Sequence, residues 1–171
     1  MHEQIVRYET IQTLFGPLTL TTSDEYLLRV DFGSFTDNEQ KIKTYLSRAK
    51  FSNYIKEATI NHPIKNELIA YFNQTLTTFT VPQKFYGTDF QRDVWQALLS
   101  IPYGETVSYK DIAVMIDRPK AVRAVGGALN KNPFSIVVPC HRVIGSDGSL
   151  TGFGGGLDRK QQLLTFEQPL K

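Results

Sequence analysis

The 171-residue chain holds one cysteine, one tryptophan and two methionines. A single cysteine cannot close an intramolecular disulfide, nor can it build a cysteine-rich zinc site. A reducing cytoplasm is the simplest setting for such a chain. Long apolar runs are also lacking, since none approaches the roughly 18 residues that a membrane helix needs. The opening residues, Met1-His2-Glu3-Gln4-Ile5-Val6-Arg7, carry charges and no apolar stretch, so no secretory signal is expected. Neither sign of charge dominates: 19 Lys/Arg stand against 17 Asp/Glu, for a net charge of +2. Bulk electrostatics therefore do not announce a nucleic-acid partner.

The remaining composition is that of an ordered globular protein, with 41% hydrophobic and 21% charged residues. Eleven Phe and eight Tyr are ample for a packed core. At roughly 150 residues per domain, the length fits one domain or two small ones. The charge is unevenly placed. Arg118, Lys120, Arg123, Lys131 and Arg142 fall within 118–142 with no acidic residue among them. Such a patch could meet phosphates or could be a solvated basic face, and charge alone does not separate the two.

The first half reads as strands followed by a helix. Gly16-Pro17 and Ser23-Asp24-Glu25 separate the short apolar runs 11–15, 18–22 and 26–32, which predicts an antiparallel meander. The polar stretch from Gly33 to about Asn61 holds a short helical pattern at Ile42, Tyr45 and Leu46. Pro63 suits the first turn of a helix bearing Ile64, Leu68, Tyr71 and Phe72 on one stripe, and residues 77–81 look like another strand. His2 and His62 are isolated, so this half offers no catalytic cluster.

The pattern changes near 82–87, a plausible linker. Thr88 with Gln91 forms a capping box ahead of Phe90, Val94, Ala97, Leu98 and Ile101 on one helical face. Ser108 with Asp111 forms a second, opening a short helix through Ile112, Ala113 and Ile116. Arg118-Pro119 breaks that helix, and Pro119 fits the first turn of a third one running to about Asn130, with Ala121, Val122, Val125 and Leu129 buried. This is a helix-turn-helix pattern, although periodicity alone favours an ordinary compact helical pair. The exposed face of the third helix is expected to carry Arg123 among the small residues Ala124, Gly127 and Ala128. Each of Gly126 and Gly127 costs roughly 1 kcal/mol against alanine inside a helix. Close approach to a nucleic-acid groove or to another helix would account for that cost.

The only cysteine lies beside the only histidine of the second half, in Pro139-Cys140-His141-Arg142-Val143. A thiol must lose its proton to act as a nucleophile, and a neighbouring base or cation assists that loss. Adjacent residues on a straight strand point to opposite faces. Cys140 and His141 can therefore cooperate only if the chain turns there or if water bridges them. Glycines 145, 148, 152 and 154–156 supply backbone that can bend closely around a ligand. A buried, inert cysteine fits the local chemistry as well.

The segment resembles the active-site signature of the O6-alkylguanine-DNA alkyltransferases, also called methylated-DNA–protein-cysteine methyltransferases. The likeness extends through Gly87-Thr88-Asp89-Phe90-Gln91, Val94-Trp95, Ile101-Pro102-Tyr103-Gly104-Glu105-Thr106, Ser108-Tyr109, Ile112-Ala113, Arg123-Ala124-Val125-Gly126, Asn132-Pro133 and Gly154-Gly155. It covers almost all of 87–167, whereas residues 1–86 match only in general pattern. The resemblance implies an α+β protein in two parts. An N-terminal domain, 1–85, would carry a ribonuclease-H-like antiparallel sheet with a helix. A mostly helical domain, 86–171, would bear the helix-turn-helix and the alkyl-transfer site.

It further implies that Cys140 takes the alkyl group from O6-alkylguanine, and from O4-alkylthymine, in one irreversible turnover. His141 would accept the thiol proton through a water and Glu167 would orient His141. Tyr109 would assist the departing base, and Asn132 would brace the loop. Val143, Ser135, Phe153, Gly154 and Trp95 would line the pocket. The partner would be double-stranded DNA, held in the minor groove by Arg123, Ala124, Gly127, Ala128, Tyr109 and Ser108, with Arg123 filling the space of a flipped nucleotide. The implied protein is a cytoplasmic monomer that uses no metal and no organic cofactor.

Some relatives carry proline, tyrosine and serine where this chain has Ser135, Phe153 and Gly154, which bears on pocket polarity. One branch of the family has tryptophan at the nucleophile position and only binds lesions; Cys140 sets this chain apart from it. A non-catalytic lesion binder and a cysteine hydrolase using Cys140 and His141 are the competing readings.

Overall fold

The computed structural model describes residues 5–51 and 55–169, so His2 lies outside the described residues. The chain forms two compact units, Met1–Tyr86 and Gly87–Lys171.

In the first unit, β1 (Val6–Thr13), β2 (Gly16–Thr22) and β3 (Leu27–Phe32) make the expected antiparallel meander. Phe15 belongs to the first turn rather than to a strand, and Gly16 at φ 92° closes that turn in a region that side-chain-bearing residues avoid. A short β4 (Ile55–Glu57) adds in parallel to β1, giving the order β3-β2-β1-β4. Ser34 and Asp37 cap each other's backbone to start α1 (Phe35–Arg48), which is longer than the expected helix. Its Ile42 and Leu46 pack on Val6 and Leu28. Helix α2 (Ile64–Phe72) follows Pro63 and buries Ile64, Leu68 and Tyr71. His62 accepts a hydrogen bond from the Ile64 amide at 3.2 Å, a local turn contact.

Residues 77–81 are not a strand. The amides of Thr80 and Val81, which a ladder would use, both donate to the Glu67 carboxylate of α2. The segment is tied to a side chain, and its backbone pairing is spent there.

Beneath α1 lies a buried ion pair. Arg29 donates twice to Asp31, at 2.9 and 2.7 Å, and Lys41 approaches the same carboxylate at 3.1 Å. The guanidinium carbon sits 4.9 Å from the centre of the Tyr45 ring. Burial pushes the Asp31 carboxyl up, but Arg29 and Lys41 outweigh it and hold the group below its ordinary range.

The second unit begins with α3 (Asp89–Leu98), started by the Thr88–Gln91 box. The Ser108–Asp111 box starts α4 (Tyr109–Met115), and α5 (Val122–Asn130) completes the helix-turn-helix. Two residue pairs of β5 (Val107–Ser108) and β6 (Val143–Ile144) run in parallel, and α6 (Leu157–Phe166) closes the unit. Val94, Leu98, Ile112, Ala113, Val125, Leu129 and Phe134 form its core.

Several details of the expected helices are corrected. Pro119 does not start α5. The amides of Asp117 and Arg118 bond back to the carbonyls of Val114 and Ala113, and Asp117 adopts φ 59°, so Pro119 follows a left-handed close of α4. Val122 is 37% exposed and drops out of the buried stripe. Ala128 is buried, not on the exposed face, because its carbonyl accepts the Trp95 indole N–H at 2.9 Å. That bond ties α3 to α5. It also makes Trp95 a core side chain, 1% exposed, rather than part of a pocket wall.

Candidate active site and nucleic-acid face

The chain turns at the cysteine. After Pro139, residues Cys140–Arg142 form one turn of 3-10 helix that leads into β6. Successive side chains in such a turn diverge by about 120°, so the opposition imposed by a straight strand is relieved. Parallel pairing of Val107 with Val143 and of Ser108 with Ile144 brings the start of α4, and with it Tyr109, beside this segment. Asn132 braces the loop from below: its amide donates to the Val138 carbonyl at 2.8 Å, and its side-chain oxygen accepts from the Phe134 amide at 3.0 Å. It also hydrogen-bonds the Cys140 side chain.

His141, Arg142 and Glu167 form one buried cluster. Glu167 Oε1 lies 2.8 Å from His141 Nε2. Arg142 donates to both carboxylate oxygens, at 2.8 and 2.9 Å, and to the Ile101 carbonyl at 2.7 Å. The Tyr103 ring centre is 5.6 Å from its guanidinium carbon. The Ile101-Pro102-Tyr103-Gly104 turn thus grips the arginine that grips the glutamate.

The electrostatics assign the proton positions. Burial pushes the Glu167 carboxyl up, but the hydrogen bonds and charges of His141 and Arg142 prevail and hold it at about 2. Glu167 is therefore ionised and accepts, so His141 Nε2 carries the proton. Burial moves His141 below its ordinary value despite Glu167, with Arg142 and Lys160 adding to the shift. The imidazole is neutral near pH 7, and Nδ1 is left with a bare lone pair. That atom is buried and has no hydrogen-bond partner among the described residues. Burial raises the Cys140 thiol, against Asn132, Lys160 and the amides of Cys140 and His141. The resting thiol is thus protonated. The site holds a buried protonated thiol and a buried neutral imidazole with an open lone pair.

Tyr109 donates from its hydroxyl to the Thr151 carbonyl at 2.6 Å. A Cβ added to Gly126 of α5 would stand 3.9 Å from the Tyr109 ring, and one added to Gly154 would stand 3.8 Å from the Asn130 carbonyl. The glycine-rich loop and the end of α5 therefore border the same region. Val143 is fully buried in β6, Ser135 and Phe153 are half-buried, and Gly154 is exposed. Ser108 serves as the cap of α4. Arg123, Ala124 and Gly127 share the exposed side of α5.

The five-residue basic patch separates on inspection. Arg142 is internal, and Arg118 approaches Asp93 at 3.4 Å, which leaves Lys120, Arg123 and Lys131 as exposed cations without a described ion pair. Arg142 and Lys160 are the buried groups that sequence reasoning missed. The available signal was α6, where Lys160, Leu163 and Glu167 fall at i, i+3 and i+7 on the buried stripe, two of them charged.

An α+β unit is thus followed by a helix-turn-helix unit that buries a cysteine, a histidine and a glutamate. Two family models match: the ribonuclease-like domain of 6-O-methylguanine DNA methyltransferase at residues 6–85 and its DNA-binding domain at 89–169. A methylated-DNA–protein-cysteine methyltransferase of Methanosarcina barkeri is 43% identical over 161 residues, covering 94% of this chain and 96% of that protein. The crystal structure of the Mycobacterium tuberculosis O6-methylguanine methyltransferase superposes with a TM-score of 0.80 at 42% identity, covering 96% and 93% of the two chains. A structure of that organism's protein in complex with DNA gives the same TM-score, with 95% and 92% covered. The chain belongs to the methylated-DNA–protein-cysteine methyltransferase family.

Proposed function

We propose that this protein repairs alkylated DNA by moving the alkyl group from the O6 of guanine, and from the O4 of thymine, onto Cys140. The observation that carries the reading is the buried relay: a protonated thiol beside a neutral His141 whose Nε2 is pinned by ionised Glu167 and whose Nδ1 is open. The thiol proton passes through a water to Nδ1. The sulfur attacks the alkyl carbon, an S–C bond forms, and the C–O6 bond breaks. The C–O6 electron pair stays on O6; Tyr109 turns its hydroxyl from the Thr151 carbonyl and donates a hydrogen bond to that oxygen while keeping its proton, and the departing base then takes a proton from solvent as His141 releases one to it. The thioether has no route back, so each molecule acts once.

The base must leave the duplex to reach a buried sulfur. Arg123, on the exposed side of α5, fills the space left in the stack. Ala124 and Gly127 let the helix backbone approach the minor groove. The protein acts as a monomer in the cytoplasm, and its chemistry needs no metal or organic cofactor. Cys140 disfavours a non-catalytic binder, which has no use for a nucleophile, and a hydrolase would need turnover that a stable thioether forbids.

Incubation with duplex DNA containing O6-methylguanine should leave one methyl group on the peptide bearing Cys140, read by mass spectrometry. A folded protein whose Cys140 stays unmodified overturns the reading.

A further inference from the structure

Four non-glycine residues among those described have positive φ: Lys50, Gln74, Asp117 and Ile136. The first three are exposed, and each stands two positions beyond the last residue of a helix, α1, α2 or α4, where a left-handed residue ordinarily ends the helix. Ile136 has no such setting. It is 1% exposed and branched at Cβ, and it lies in the stretch between α5 and Cys140. A branched residue at φ 72° is a strained backbone outlier. The Val137 amide donates across it to the Ser135 carbonyl at 2.8 Å, so these three residues make the rare form of γ-turn.

The bonds around this turn lead to the cysteine. The Val138 amide donates to the Phe134 carbonyl at 2.9 Å and closes a loop around the γ-turn. The Val138 carbonyl accepts from the Asn132 side chain and from the Cys140 amide, both at 2.8 Å. Pro139, at φ −82° and ψ 62°, makes the second of these an unstrained inverse γ-turn. The strain between α5 and the nucleophile is therefore gathered at one buried residue. An ordinary negative φ at Ile136 would turn Val138 away from its partners and carry Cys140 with it.

We propose that Ile136 is a positioning residue for the transfer: its left-handed backbone aims Val138, and through it the Cys140 sulfur, while its buried side chain clamps the turn in that strained form. This role rests on Cys140 being the nucleophile. A strained residue persists only where its surroundings over-determine it. Here the Asn132 and Val138 hydrogen bonds fix the main chain on the Cys140 side, and burial fixes the isoleucine itself. Ile136 exchanges no proton and acts only through the main chain.

The test compares Ile136→Gly, Ile136→Ala and Ile136→Val in the full chain, with free O6-benzylguanine base as the alkyl donor so that no duplex step enters. Glycine adopts positive φ freely and alanine does not. Ile136→Gly should therefore unfold at a higher urea concentration than Ile136→Ala, the reverse of the order at an unstrained position. Both variants lose the clamp, and a misplacement of about 1 Å costs about 100-fold in rate. The limiting rate of Cys140 alkylation per folded molecule should fall about tenfold in Ile136→Gly and about 100-fold in Ile136→Ala, with the half-saturating base concentration unchanged within about twofold. Ile136→Val keeps the branch and most of the burial, so its limiting rate should stay within about threefold of wild type. An isoleucine that only fills space would leave alanine ahead of glycine in stability, or leave both limiting rates at the wild-type value, and either result overturns the proposal. A second measurement needs no variant. In the wild type, a strong NOE between the amide and α protons of Ile136 marks positive φ, and a weak one overturns the proposal even if neither small variant folds. A strong NOE with only Ile136→Val folded supports it, as expected of a turn that the buried side chain alone holds. Wild-type protein that shows the strong NOE but takes no benzyl group on Cys140 overturns the proposed reaction and leaves the strained turn standing.

Discussion

Each unit of the chain buries an arginine–carboxylate pair, and the two pairs are completed differently. In the first, Asp31 takes two hydrogen bonds from Arg29 and a third contact from Lys41. In the second, Glu167 takes two from Arg142 and a third contact from His141. A lysine offers donors only, so the first network ends there. A neutral histidine offers a donor on one nitrogen and an acceptor on the other, so the second network ends in an open lone pair. The first unit also has an unpaired buried atom, the hydroxyl oxygen of Thr21, but that group does not titrate near neutral pH. One device thus ends as a closed tie or beside an open, titratable nitrogen, and the third partner decides which.

The largest expected effect isolates the group that the second network serves. Cys140→Ser should abolish transfer while leaving DNA affinity within about twofold, since a serine hydroxyl is far less acidic than a thiol and a poor nucleophile in displacement. Single-turnover assays and binding to methylated duplex measure the two separately. Residual transfer in this variant removes Cys140 as the acceptor.

The next pair of variants tests the comparison directly. Asp31→Asn and Glu167→Gln each leave a buried arginine without its counter-charge, and each should lose about 3–5 kcal/mol of stability in urea denaturation. Only Glu167→Gln should slow transfer per folded molecule, by about 100-fold, because only there does the carboxylate fix a base. Equal slowing in both would mean that the rate follows stability and that the distinction drawn here is empty.

Acid sharpens the same contrast. His141 sits below its ordinary 6.5 in the folded state, so the transfer rate should be undiminished at that pH and fall only in more acid solution, as Nδ1 is protonated. The unfolded chain takes up that proton first, so stability also begins to decline below 6.5. Glu167 stands at about 2 against an ordinary 4.5, so its contribution to stability is complete above 4.5 and is lost as the pH falls toward 2. Asp31 is also depressed, from 3.8, and fails in the same direction. A rate that is already half lost at or above pH 6.5 contradicts a buried, neutral His141 as the base.

Legibility in the sequence followed the reach of the interactions. The Thr88–Gln91 and Ser108–Asp111 boxes are decided within four residues, and both helices begin where those residues stand. The meander is legible for the same reason. Residues 77–81 carry the composition of a strand, but their amides are taken by Glu67, ten or more positions away. Strand β4 has three residues and no apolar alternation, and only its pairing with β1 defines it. Ala128 looked like its small neighbours until Trp95 claimed its carbonyl. In the candidate site, the contact of His141 with Glu167 was legible through family resemblance. Arg142 and Lys160 were not, because charged residues are ordinarily solvated, and for Lys160 the spacing with Leu163 and Glu167 was the one local sign to the contrary.

Arg123→Ala is expected to have a moderate effect, confined to duplex substrate. A side chain that holds a base out of the stack matters only where a stack exists, and extrusion costs a few kcal/mol, so repair of duplex should fall about 10- to 100-fold. Transfer from free O6-alkylguanine base should stay within about twofold of wild type. Losing one phosphate contact would change the salt slope by only about 0.9, so the defect should persist at both low and high salt. Equal losses on duplex and free base would place Arg123 in support of the pocket or the fold.

The smallest effect concerns Gly127. A Cβ at this position meets nothing within 4 Å, and the backbone there is ordinary helix. Gly127→Ala should therefore stabilise the second unit by about 0.8–1 kcal/mol, the usual gain for alanine over glycine in a helix interior. Neighbouring Gly126 is different, since its added carbon would touch the Tyr109 ring at 3.9 Å. If Gly127 is present because DNA comes close to the helix backbone, the added methyl should weaken duplex binding by about tenfold, an overpacking cost of roughly 1–2 kcal/mol. Transfer from free base should be unchanged. The expected signature is a protein that is more stable and binds less well, read from urea midpoints and duplex titrations on the same sample. Higher stability with unchanged affinity would mean that DNA does not approach α5 at Gly127, and the groove contact would have to be sought at Lys120 or Lys131, the other exposed cations around that helix.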